Sequence, residues 1–162
     1  MYSLSKRKYS RAGKVMSTIP QSSMSQSAKL LAKMSQMRDS QTLTDVSLKV
    51  GEKVFHAHRV VLAASSDYFD AMFTAGMRES FDEVIELKDS SVTPESLEII
   101  LDSVYKSVLN VTKENALDVL VAADHLQMTD VIEQCSRFIS EKIVSEQLNE
   151  FDIRSLQKVF LI

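Results

Sequence analysis

Apolar side chains recur at every second position at Val46, Leu48 and Val50, and from His58 onward they recur at every third or fourth. A spacing of two lines one face of a strand; a spacing near 3.6 lines one face of a helix. A chain that changes from one to the other combines strands and helices. Gly51-Glu52 ends the first strand. It is a two-residue turn with glycine at the first central position, as a type II′ turn requires. Val54 and His56 carry the period of two into a second strand. Beyond it Val60, Val61 and Ala64 share one helical face, and Tyr68, Phe69, Met72 and Phe73 form another apolar stripe after Ser65-Ser66.

Upstream, Leu30, Leu31, Met34 and Met37 fall at helical spacing, with Ser27 placed to cap the start. So short a helix is marginal alone in water, and its stripe needs a surface to pack on. Downstream, Val84, Ile85 and Leu87 make a short strand closed by Asp89-Ser90-Ser91. Thr93-Pro94-Glu95 opens a helix with an N-cap and a proline at the first helical position. Leu97, Ile100, Leu101 and Val104 give its buried face, and Val108 to Val111 read as extended. Thr112 is placed to cap a further helix with Leu117, Leu120 and Val121 inward. Asp130-Val131-Ile132-Glu133 has capping-box spacing and opens a helix lined by Ile132, Cys135, Phe138 and Ile139. Leu148, Phe151, Leu156 and Phe160 continue a helical pattern to the end.

Charge is segregated along the chain. Lys6, Arg7, Lys8, Arg11, Lys14, Lys29, Lys33 and Arg38 all precede the first acidic residue, Asp39, although the net charge is only -3. Residues 1–26 read as a disordered, basic, Ser-rich tail. A nuclear-import or phosphorylatable patch at Lys6-Arg7-Lys8 is the second reading, and a mitochondrial presequence the third. The remainder is acidic, which speaks against nucleic-acid binding. No apolar stretch is long enough to span a membrane, and no secretory signal is present, so the sequon Asn110-Val111-Thr112 is expected to be inert. The single cysteine, Cys135, cannot form an intramolecular disulfide. That favours a reducing compartment, the cytoplasm first and the nucleus second.

Chemistry-bearing constellations are weak. Gly13, Gly51 and Gly76 are too scattered for a phosphate loop. His56 and His58 could pair on a metal, but with only His125 left and no cysteine nearby a four-coordinate zinc site cannot be assembled, so no metal or other cofactor is expected. Cys135 lies on an apolar helix face and reads as a buried thiol. Asp45, His58 and Ser66 offer a superficial triad without a nucleophile elbow or glycine-rich oxyanion loop, and are read as structural. The chain is not expected to be an enzyme.

The run from Phe55 through His58-Arg59 and Tyr68-Phe69 to Phe73 closely resembles the signature of BTB/POZ domains, the kelch-like branch above all. The resemblance takes in Leu43-Thr44-Asp45-Val46 upstream, then Val104-Tyr105, Asn115-Ala116-Leu117 and Ala122 to Gln127 downstream, covering residues 27–143. Tyr105-Lys106-Ser107 departs from the family's usual Tyr-Thr-Gly. What the resemblance implies is a mixed α/β (α+β) fold, a small sheet flanked by a cluster of helices, that homodimerises. Leu30, Leu31, Met34, Met37, Val46 and Leu48 would face the partner subunit.

Kelch-like proteins are substrate adaptors of cullin-3 ubiquitin ligases. The resemblance implies that Met77 and Glu79, an apolar residue followed two positions later by Glu, contact the N-terminal region of cullin-3. Tyr68, Ala71 and Met72 would lie near that contact, with His125, Leu126 and Met128 at its border. Residues 144–162 resemble the start of a BACK region at Asn149 to Arg154, departing at Glu150, Phe151 and Asp152. The expected function is a dimeric interaction module of a ligase adaptor, able to heterodimerise with longer BTB proteins. The alternative is a dimerisation or scaffold domain without a ligase link, such as a corepressor-binding module.

Overall fold

The computed structural model describes residues 25–75 and 81–144. Strand β1 (Val46–Val50) is the middle of a three-stranded sheet, paired antiparallel with β2 (Lys53–Ala57) and parallel with β3 (Val84–Glu86). Helices α2 (Arg59–Ser65) and α3 (Asp67–Thr74) come between β2 and β3 in the chain. Helix α1 (Gln26–Asp39) precedes the sheet; α4 (Pro94–Lys106), α5 (Ala116–His125) and α6 (Thr129–Phe138) follow it. A π-helical turn continues α6 through residues 139–144. The expected mixed α/β fold is what the structure shows.

The β1 period holds: Val46, Leu48 and Val50 are buried, and Ser47 and Lys49 less so. Gly51 takes φ +57° between the paired residues Val50 and Lys53, the left-handed value that the turn demands. Strand β2 corrects the expectation. Its inward positions are Phe55 and Ala57, while Val54 is exposed and His56 pairs with Ser47 on the outer face. The reason is parity. A two-residue turn sets Val50 directly opposite Lys53, so the core face of β2 falls on the odd-numbered residues.

Two helix readings change as well. In α2 the inward residues are Val61 and Leu62, and Val60 points out. In α5 the core side chains are Ala116, Val119, Ala122 and Ala123; Leu117 and Val121 are exposed and Leu120 half-buried. Close packing of α5 between α4 and α6 favours its small residues inside. The caps shift too. Ser25, not Ser27, caps α1 by accepting from the Ala28 N–H at 3.2 Å. The α5 N-cap is Asn115, whose Oδ1 accepts from the Thr112 N–H. Asp130 lies inside the first turn of α6 and caps nothing. By contrast, Thr93 forms a full capping box with Ser96 in front of Pro94.

One core joins the sheet to α2–α6, from Leu48 and Leu62 through Phe69, Leu97, Ile100 and Leu101 to Val119, Leu126 and Cys135. Burial raises the Cys135 thiol above its usual pKa, as suits a packing side chain. Residues 1–24 and 145–162, which include the basic tail and the BACK-like Asn149–Arg154 with Leu148, Phe151, Leu156 and Phe160, lie outside the described residues.

Candidate partner-binding surface

Ser66 caps α3 and fixes where its outer face points. Its Oγ accepts from the Phe69 N–H at 3.1 Å and donates to the Leu126 carbonyl at 2.6 Å, tying α3 to the end of α5. Phe69 turns into the core and stacks on Phe73 at 5.8 Å. Tyr68 and Met72, one turn apart, stay half-buried, and Ala71 is exposed between them. The Tyr68 ring lies 5.7 Å from the His125 ring at the end of α5. His125 Nδ1 is 3.7 Å from Asp89 Oδ2. Hydrogen bonds from Ser91 hold the Asp89 carboxyl below its usual pKa, with the nearby His125 adding to the effect. Tyr68, Ala71, Met72 and His125 thus meet on one surface of half-exposed apolar groups beside an imidazole and a carboxylate.

Two of the residues expected at its border do not serve it. Leu126 and Met128 are buried in the core, because the chain turns inward where α5 hands over to α6, and their side chains offer nothing to a partner. Met77 and Glu79 lie outside the described residues. The Asp89 side chain was missed in the sequence, since only tertiary packing sets it beside His125.

The second expected surface is split. On α1, Leu30 is 62% exposed, while Leu31, Met34 and Met37 are half-buried. The helix packs on α4, where Arg38 reaches Asp102 at 3.3 Å and lies 5.0 Å over the Tyr105 ring. Val46 and Leu48 do not belong to that surface. They are core residues of the central strand, covered on the chain's own inner side.

Asp45, His58 and Ser66 do three separate jobs and share no hydrogen bond with one another. Asp45 Oδ1 accepts from the Arg59 N–H at 2.7 Å, capping α2 from a distance. Arg59 in turn donates to the carbonyls of Asp45 and Asp82 and lies over the Phe73 ring. The Tyr105 hydroxyl accepts from the His58 N–H at 2.9 Å and sits 2.8 Å from His58 Nδ1. The other ring nitrogen, Nε2, is buried without a hydrogen-bond partner. Among the described residues no group of three or more His, Cys, Asp or Glu could hold a metal ion, and no helix is long and apolar enough to cross a membrane.

The BTB/POZ domain family model matches residues 34–143 of this chain. The chain belongs to the BTB/POZ family. Human Kelch-like protein 25 is 41% identical to this BTB/POZ chain over 114 residues, which are 70% of the chain and 19% of that protein. Human Kelch-like protein 26 is 38% identical over 144 residues, covering 85% and 23% respectively. The chain therefore spans about a fifth of the length of these kelch-like relatives. The solved BTB domain of zebrafish PATZ1 superposes with a TM-score of 0.64 at 35% identity, covering 72% of this chain and 92% of that one. The BTB/POZ chain is thus a protein-interaction domain, with kelch-like relatives and the fold seen in PATZ1.

Proposed function

We propose that this BTB/POZ domain homodimerises through α1 and recruits the N-terminal region of cullin-3, serving as part of a substrate adaptor in a ubiquitin ligase complex and not as an enzyme. The observation that carries the reading is the surface of Tyr68, Ala71, Met72 and His125, left accessible on a domain whose curated relatives are kelch-like. Met77 and Glu79 supply the rest of the contact, the methionine filling an apolar groove and the carboxylate meeting donors at its edge. The α1 stripe supports the dimer. Leu30 is exposed and its neighbours are only half-covered, and burying such side chains is worth about 1.5–3 kcal/mol each before association costs. In this reading residues 1–26 form a basic tail, 27–143 the domain and 144–162 the beginning of a BACK-like region. The protein works in the cytoplasm and also pairs with longer BTB proteins.

A second reading, a dimerisation or scaffold domain without a ligase link that binds corepressor peptides, is favoured by the likeness to the PATZ1 BTB domain. Pull-down of purified cullin-3 N-terminal region by the full chain separates the two. The Met77→Ala/Glu79→Ala variant is expected to lose most of the cullin while sedimenting as the wild type does. Equal recovery by variant and wild type would end the ligase reading.

A further inference from the structure

Strand β2 forms one edge of the sheet. On β1, Ser47 and Lys49 turn their backbone groups to the β3 side: the Ser47 N–H donates to the Glu83 carbonyl and the Lys49 carbonyl accepts from the Leu87 N–H. Val46, Leu48 and Val50 therefore bond to Ala57, Phe55 and Lys53, and the N–H and C=O groups of Val54 and His56 point away from β1. Among the described residues no strand pairs with that side and no backbone group bonds to it. Val54 is 49% exposed there. Edge strands usually carry a proline, a bulge, a covering element or a projecting charge that stops further pairing. Strand β2 has no proline and pairs with β1 residue for residue. Its one permanent charge, Lys53, is engaged by α4, with Nζ 3.6 Å from Glu95 and 3.7 Å from Glu98.

We infer that β2 pairs antiparallel with β2 of a second copy, joining two three-stranded sheets into one continuous sheet. Hydrogen-bond parity selects the occupant and the register. With Phe55 on the two-fold axis, Val54 of each copy lies opposite His56 of the other, and the residues that hold free N–H and C=O groups exchange both bonds. Side chains keep their faces. Phe55 meets Phe55 of the second copy on the inner side, and Val54 meets His56 on the outer side, beside Ser47. Lys53 falls opposite Ala57, so no like charges face each other. The chain's remaining segments offer no matching strand: residues 1–24 show no sustained apolar alternation, and 145–162 carry Leu148, Phe151, Leu156 and Phe160 at helical spacing. The contact uses no residue of α1. Combined with the α1 dimer of the proposed function, it links dimers into higher assemblies, because each chain then carries two separate two-fold contacts. Such assemblies present several adaptor copies at once and raise avidity for a multivalent substrate.

Sedimentation of the full chain over a range of concentrations, read together with hydrogen exchange at the Val54 and His56 amides, tests the inference. The mass is expected to rise beyond two chains at high micromolar concentration, with both amides slowing at least about tenfold as it does. Val54→Pro removes an outward N–H that β1 does not use, and Val54→Lys sets a charge on the edge. Each is expected to return the mass to two chains at that concentration, with the melting temperature of Val54→Lys unchanged. A mass that never exceeds two chains, with both amides exchanging as fast as open backbone, would overturn the inference and leave the α1 reading intact. A larger mass that survives in both variants would overturn it in favour of another surface. Slowing of these amides only when the cullin-3 N-terminal region is added would overturn it in favour of a strand from that partner. A two-chain mass that survives Leu30→Glu/Leu31→Glu but not Val54→Lys would uphold the inference and remove α1 from the interface.

Discussion

Tyr105 carries more of the fold than one aromatic side chain usually does. Its ring is buried under Arg38, and its hydroxyl serves both the backbone N–H and the Nδ1 of His58 at the start of α2. Tyr105→Phe keeps the ring and the cation–π contact but strands two buried polar atoms of His58, whose Nε2 already lacks a partner. The expected cost is about 1–3 kcal/mol, read as a lower midpoint in urea unfolding with an unchanged slope. In the sequence Tyr105 stood only as a family landmark, because the pairing with His58 spans 47 positions and no local pattern records it. Asp45 and Ser66 read as structural in the sequence; their partners, the Arg59 N–H and the Leu126 carbonyl, emerged only from the folded chain.

At the scale of elements, α1 poses the clearest question. Only Ser35 of this helix is fully buried, so its apolar side chains are incompletely used by the chain's own α4. Leu30→Glu/Leu31→Glu retains good helix formers while making the stripe acidic. Under the proposed dimer the variant is expected to shift toward monomer in sedimentation at micromolar concentration, with the helical signal kept. An unchanged mass would remove α1 from the interface. The apolar period foretold α1, α3 and α4 as helices, and Thr93-Pro94 fixes the start of α4 by purely local chemistry. It misplaced the inner faces of α2 and α5. Those helices have apolar residues on more than one side, so spacing alone selects no single face.

For the molecule as a whole, burial of weak acids predicts how stability depends on pH. Burial raises the Tyr105 phenol above its ordinary 10.0, despite the opposing pull of the His58 hydrogen bond and of Arg38, and raises the Cys135 thiol above 9.0. Both groups therefore hold their protons more tightly folded than unfolded. The stability they contribute is fully present below the unfolded values and is lost as pH rises through the folded ones. Urea midpoints are expected to be level from neutral pH to about 8.5 and to fall beyond it, with a shallower fall in Tyr105→Phe. A flat midpoint to pH 11 would remove both groups as the cause. The sequence by itself determined the mixed architecture, the β1 strand and its turn, and the start of α4, because periodicity, turn parity and capping act between neighbours along the chain; the BTB/POZ membership was legible as a resemblance of the run Phe55 to Phe73 and its flanking landmarks. Only the tertiary structure decided that Leu126 and Met128 are buried and that Leu117 and Val121 look outward. Which side of a strand or helix is covered depends on the elements packed against it, and those come from distant parts of the chain.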